Sequence, residues 1–142
     1  MKNSPRILLV EDDEVDALTV RRILGEIAVG TRAVGTRLDI VSDGEQALAF
    51  LRNPANPRPD IILLDLNMPR MNGIEFLEIA KSDDDLKMIP VVVVTTSKGG
   101  PDIEDSFRLG AAGYMAKPVD YQEFVEIVTL VDRYWTLSEL PH

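Results

Sequence analysis

Four groups of residues in this sequence carry side chains able to do chemistry together, and each follows a short apolar run. Glu11, Asp12 and Asp13 come after "RILLV", and Asp65 ends "IILLD". Thr95 and Thr96 close "VVVVTT", and Lys117 with Pro118 follows "GYMA". Two or three carboxylates held close together do not all stay ionised cheaply unless a cation joins them. Oxygen donors without Cys or His neighbours suit a hard cation, with Mg²⁺ the first choice. Asp12 and Asp65 would bind it directly, Glu11 through water, and a loop carbonyl such as that of Asn67 would add a further ligand. Lys117 and Thr95 then call for an anion. A phosphoryl group on Asp65 satisfies every member: the carboxylate is the nucleophile, the cations neutralise the phosphoryl oxygens, and Thr95 donates a hydrogen bond.

Each residue also has a purely structural use. Asp after a strand is often a turn residue or helix cap. The "EDD" triplet can simply charge the first turn of a helix, and paired Thr suits a strand. The coincidence of all four groups at corresponding positions favours the joint reading.

That coincidence needs elements to position it. The apolar runs Arg6–Val10, Arg37–Val41, Ile61–Asp65, Val91–Thr95 and Gly113–Ala116 recur along the chain. Three are continuously hydrophobic, as strands buried on both faces are. Helical patterns lie between them. Ala17, Val20, Leu24 and Ile27 keep helical spacing, and so does the stripe Phe124, Ile127, Val128, Val131 and Trp135. Asp120 with Glu123 reads as a capping box with Val119 and Phe124 as its staple; Asn72 with Glu75, flanked by Met71 and Phe76, repeats the pattern. A further helix opens with Pro101 in its first turn and ends at Gly110. The expected fold is α/β: a doubly wound, flavodoxin-like parallel sheet of five strands in the order 2-1-3-4-5, with five helices. In such a sheet the four groups meet in one crevice beyond the strands' carboxyl ends. The tandem "AVGTRAVGTR", Ala28 to Arg37, reads as a lengthened loop or helix end, since two short copies bury nothing by themselves.

Composition narrows the function. The 142 residues fit one domain, and 45% hydrophobic content supplies a core. With 24 acids against 15 Lys plus Arg, the net charge of −9 argues against nucleic acid and anionic membrane as partners. There is no cysteine for disulfides or a thiolate metal site. No apolar run is long enough for a membrane span or signal peptide, so a cytoplasmic location is expected.

The blocks "ILLVEDD", "ILLDLNMPRMNG", "IPVVVVTT" and "GAAGYMAKP" resemble the receiver domain of two-component response regulators, in order and at the family's spacing over nearly the whole chain. The resemblance implies that Asp65 accepts a phosphoryl group from the phosphohistidine of a sensor kinase, with Mg²⁺, and later loses it by hydrolysis. It implies no enzyme in the usual sense, only a phosphoacceptor that promotes its own phosphorylation and dephosphorylation. The family's acidic pair falls on Glu11 and Asp12, with Asp13 a competing member. Thr95 matches the switch hydroxyl, Lys117 the cation, and Tyr114 the aromatic switch; a cis bond before Pro118 is also implied. Phosphorylation would draw Thr95 inward and let Tyr114 follow, which changes the surface shown to partners.

The domain is expected over residues 5–137, with 138–142 a tail. No effector segment follows in the sequence, so output would run through protein contacts: a downstream protein target or a phosphotransfer protein in a phosphorelay. The layout is similar to small regulators paired with bacterial phytochrome kinases. Trp135, Leu137 and Leu140 would form an arm in a homodimer or fold back on their own core. Two alternatives stand beside this reading. A phosphatase of the haloacid dehalogenase type would want an acid where Asn67 stands, and a phosphate-independent receiver-like scaffold would not need the complete site.

Overall fold

The computed structural model describes residues 6–31, 37–96 and 99–117, together with Gln122 and Glu126. Five strands form one parallel sheet: β1 (Arg6–Val10), β2 (Arg37–Val41), β3 (Ile61–Leu64), β4 (Val91–Thr95) and β5 (Gly113–Ala116), in the order β2-β1-β3-β4-β5. The expected order is therefore observed. Strand β3 stops at Leu64, which leaves Asp65 as the first residue beyond it.

Alternation along these strands builds the core. Leu8, Val10, Ile62, Leu64, Val91 and Val93 project to one face, where they meet Ala47 and Leu48 of α2 (Gly44–Arg52) and Phe76, Leu77 and Ala80 of α3 (Gly73–Ser82). Ile7, Leu9, Ile61, Leu63, Val92, Val94 and Met115 project to the other, against Ala17, Val20 and Ile23 of α1 (Glu14–Thr31). Both faces are therefore dry, which explains the runs of Leu and Val without polar alternation. Burying each such side chain stabilises the fold by about 1.5–3 kcal/mol.

The helix starts follow the local rules. Asp13 caps α1, its Oδ1 accepting from the Val15 and Asp16 amides at 2.9 and 3.1 Å. Asp43 caps α2 through the Gln46 amide at 2.8 Å. The Asn72–Glu75 capping box of α3 is present in both directions. Helix α4 (Gly100–Arg108) has Pro101 in its first turn, and Gly110 just past its end takes φ +106°, a conformation that favours glycine.

Four helices are formed among the described residues, none long and apolar enough to cross a membrane. The expected fifth helix, with Asp120–Glu123 and the Phe124–Trp135 stripe, lies outside the described residues apart from helical backbone at Gln122 and Glu126. Ser97, Pro118 and the C-terminal residues from 127 onward lie outside them too. The tandem repeat divides: Ala28–Thr31 prolongs α1, and Arg37 opens β2.

Candidate functional site at the carboxyl end of the sheet

Backbone hydrogen bonds at the strand ends bring the four groups together. The Glu11 amide donates to the Val41 carbonyl at 2.9 Å and the Asp65 amide to the Val10 carbonyl at 3.0 Å. The Lys117 amide donates to the Thr95 carbonyl at 2.7 Å. Glu11, Asp65 and Lys117 are thus the first residues beyond β1, β3 and β5, each tied by its amide to a neighbouring strand, and the rigidity of the sheet passes directly to them.

An open crevice of about 570 Å³ results, lined by Glu11, Asp12, Asp65, Asn67, Thr96 and Lys117, with residues 13–16 of α1 along its rim. Glu11, Asp65 and Lys117 are buried, whereas Asp12 is exposed. Glu11, Asp12 and Asp65 each offer one oxygen, all within 4.8 Å of one another. Three hard oxygen donors at this spacing can hold a divalent metal ion.

The Lys117 ammonium is shared by three carboxylates. It donates hydrogen bonds to Glu11 and, at 2.9 Å, to Asp16 Oδ2, while Asp65 Oδ2 lies at 3.5 Å. The second Asp65 oxygen, Oδ1, accepts from the Asn67 amide at 3.2 Å. The Asn67 side-chain amide donates to the hydroxyl oxygens of Thr95 at 3.3 Å and Thr96 at 3.1 Å. Thr95 is fully buried, and Thr96 is the hydroxyl residue that lines the crevice. Tyr114 on β5 is half-buried against the core cluster beside Val93, its strand partner.

Electrostatics at the site are unbalanced. Burial pushes the Glu11 carboxyl up, the hydrogen bond from Lys117 pulls it back, and the charge of Asp65 pushes it up again, to about 7 from an ordinary 4.5. Burial works against the Lys117 charge too, but its hydrogen bonds to Glu11 and Asp16 and the charge of Asp65 win, holding it protonated above its ordinary range. One buried ammonium is not enough for the acids around it, so the donor set has room for a further cation.

The sign of the Glu11 shift gives a pH prediction for the metal-free protein. A carboxyl raised in the folded state stabilises below its ordinary 4.5, and that contribution is lost as pH rises through about 7. In chelator, thermal stability is therefore expected to fall between pH 4.5 and 7.5, by on the order of 2 kcal/mol. Melting curves should show this slope flattened in Glu11→Gln. An equal slope in both proteins would contradict it.

Glu11, Asp12, Asp65, Asn67 and Lys117 line this crevice, Thr95 meets it through the Asn67 side chain, and Tyr114 lies on β5 opposite Val93. Asp13 is committed to capping α1 and stands outside the three-oxygen cluster. Two residues escaped the sequence reading. Asp16 was legible in principle, because side chains in a helix's first turn lean toward its N-terminus and hence toward the crevice. Gly73 was not. A Cβ there would lie 2.4 Å from the Asp65 carbonyl oxygen and 2.6 Å from Leu66 Cα, both backbone atoms. Only glycine lets α3 begin against the loop that carries Asp65, and the Gly73 amide ties back to the Leu66 carbonyl at 3.0 Å. Gly73→Ala is expected to cost about 2–3 kcal/mol and to slow phosphorylation by displacing Asp65. Denaturant unfolding with a parallel labelling assay checks both, and an unchanged midpoint would refute the close approach.

A parallel 2-1-3-4-5 sheet with an acid cluster, a lone acid, a hydroxyl and a buried lysine at its carboxyl end defines a receiver domain. The profile of the response regulator receiver domain matches residues 7–129, and the chain belongs to that family, the phosphoacceptor proteins of two-component signalling. It is 38% identical over 138 residues to response regulator Rcp1 of Synechocystis, covering 94% of this chain and 90% of the relative. The crystal structure of the phosphorylated cyanobacterial phytochrome response regulator RcpA superposes with a TM-score of 0.82 at 35% identity, covering 99% of this chain and 100% of that one. The Mn²⁺-bound form of Rcp1 superposes with a TM-score of 0.75 at 36% identity, covering 97% and 99%. Neither alternative weighed from the sequence gains support: two residues beyond Asp65 stands Asn67, whose amide is engaged by two threonines.

Proposed function

We propose that the chain receives a phosphoryl group on Asp65 from a sensor histidine kinase and passes the signal on through altered protein contacts. The placement of Asp65 carries this reading. It is buried at a strand end, with one oxygen beside an amide and the other beside a lysine held in its charged form. In the transfer, an Asp65 oxygen forms a bond to phosphorus as the donor's phosphorus–nitrogen bond breaks, its electron pair leaving on the imidazole. The product is an acyl phosphate on Asp65, and attack of water on phosphorus later returns the carboxylate.

Lys117 neutralises phosphoryl oxygens without giving up its proton, since three acids hold it protonated. Thr95, whose oxygen accepts from the Asn67 side-chain amide at 3.3 Å, is the hydroxyl proposed to donate a hydrogen bond to the phosphoryl group. Moving Thr95 out of its buried position leaves space that Tyr114 can enter. That rearrangement is the proposed link to the surface formed by α4 and β5, where Phe107 is half-exposed. The chain in this way promotes its own phosphorylation and dephosphorylation while acting on no other substrate.

Glu11, Asp12 and Asp65 would hold the divalent ion, with the Asn67 carbonyl as a fourth donor. The hard oxygen set favours Mg²⁺, and the Mn²⁺-bound form of Rcp1 supports a divalent ion of that size class. When bound, the ion supplies charge neutralisation between the acids and the incoming phosphoryl group. Labelling by acetyl phosphate tests this directly. It is expected to require Mg²⁺, to stop in chelator, and in Asp12→Ala to need roughly tenfold more Mg²⁺ or beyond. Labelling of wild type at full rate in chelator would contradict the metal assignment.

The partner kinase is proposed to be of bacterial phytochrome type, because RcpA, which matches 99% of this chain, is described as a phytochrome response regulator. The domain is proposed to run over residues 5–137 in the cytoplasm. A homodimer is also proposed, for which the apolar residues Trp135, Leu137 and Leu140 would supply the arm. Light scattering with and without beryllofluoride reads this, and a monomer mass in both would refute it.

A further inference from the structure

The arrangement around Lys117 contains a contact that phosphoryl transfer does not need. Among the described residues, its ammonium pairs with Glu11, Asp16 and Asp65. The nearest approach to Asp65 is 3.5 Å, whereas Asp16 Oδ2 takes a hydrogen bond at 2.9 Å. Asp16 belongs to the first turn of α1 rather than to a strand end, and it reaches the lysine across the rim of the crevice. Its side chain is 41% exposed, while that of Lys117 is 7% exposed. A largely dry cation is thus tethered from the solvent side by an acid that neither lies in the three-oxygen cluster nor touches Asp65.

We propose that Asp16 is a positioning residue that competes with the phosphorylated Asp65 for Lys117, and so sets how firmly the phosphorylated state is held. This rests on the reading of Asp65 as phosphoacceptor. A lysine has three N–H donors. Two are spent on Glu11 and Asp16 while Asp65 stands off at 3.5 Å, so closing that gap to a phosphoryl oxygen with the third donor moves the ammonium and lengthens the more exposed of the two bonds. The free energy of the Asp16 contact is therefore subtracted from the stabilisation that Lys117 gives to the phosphoryl group. Removing the tether should strengthen anion binding at Asp65, the reverse of what loss of a supporting residue would do. An ion pair with one exposed partner implies a change of about two- to fivefold.

Glu14 supplies the control. It lies in the same turn, lines the same crevice and carries the same charge. Beryllofluoride, a phosphoryl mimic, is titrated at saturating Mg²⁺ into the full chain and read by backbone amide NMR. Asp16→Asn should bind it about two- to fivefold more tightly than wild type, Asp16→Glu should restore wild-type affinity, and Glu14→Gln should stay near wild type. In the metal-free protein, hydrogen exchange at the Lys117 ammonium should quicken in Asp16→Asn and not in Glu14→Gln. Equal affinities for Asp16→Asn and Glu14→Gln, weaker binding by Asp16→Asn, or unchanged ammonium exchange would each overturn the proposal while leaving the phosphoacceptor reading intact. A wild type that takes no beryllofluoride would overturn both.

Discussion

Asp65→Asn is expected to lose phosphorylation by acetyl phosphate or a cognate kinase, by roughly three orders of magnitude or more, while remaining folded. An amide oxygen is a poor nucleophile and brings no charge to a divalent ion, so both functions assigned to Asp65 disappear together. Stability should move the other way. Asp65 is one of the causes that push Glu11 up, and it adds to a buried group of acids that one lysine cannot neutralise. Without its charge Glu11 ionises more easily, so in chelator at pH 7 the variant should melt no lower than wild type. Phosphate incorporation and melting curves together check the pair of outcomes. Retained labelling would place the phosphoryl group on another acid; a collapse in stability would make Asp65 a structural residue.

Lys117→Ala should behave in the opposite way, with a folded-state penalty and labelling largely kept. Removing one partner from a buried ion pair costs about 3–5 kcal/mol when the remaining charge cannot escape. Here the cost should depend on pH, because Glu11 can take up a proton. It should approach the upper figure at pH 8 and shrink by pH 5.5. Lys117 neutralises the phosphoryl oxygens but neither attacks phosphorus nor holds the metal, so the variant should still be labelled, more slowly, when Mg²⁺ is present. What it should lose is the response. In wild type, beryllofluoride should shift the backbone resonances of Thr95 and Tyr114, whereas in Lys117→Ala those shifts should be largely absent even with the mimic bound. Full shifts in the variant would mean that the lysine does not couple the phosphoryl group to the switch.

Much of this architecture can be read from the chain, for identifiable physical reasons. Strands buried on both faces have no polar positions, so "ILLV", "IILL" and "VVVV" mark themselves, and parallel connection limits their order. The capping box at Asn72 and Glu75 is a local pattern and was found where expected. Because ligands gather beyond carboxyl ends, the residue after each run was a candidate, and the family resemblance gave those candidates their roles.

Contacts made across the fold were harder to read. Asp16 looks like any acid favoured in a first helical turn until Lys117, 101 residues away and just beyond β5, reaches it. Gly73 looks like a flexible loop residue, yet what fixes it is the backbone of Asp65 and Leu66 pressed against it. That the side-chain amide of Asn67 braces Thr95 and Thr96 follows only from their positions across the fold. Asp13, one of three consecutive acids, is separated from the others by its capping geometry, which no count of acids reveals.

The central claim is that Asp65 is the residue that carries the phosphoryl group. An acyl phosphate is reduced by borohydride to an alcohol, which converts a phosphorylated aspartate into homoserine. Protein labelled with acetyl phosphate and Mg²⁺, reduced and sequenced by mass spectrometry, should carry homoserine at position 65 and at no other acid. Homoserine at position 12 or 13, or phosphate incorporated without any homoserine, would contradict the account.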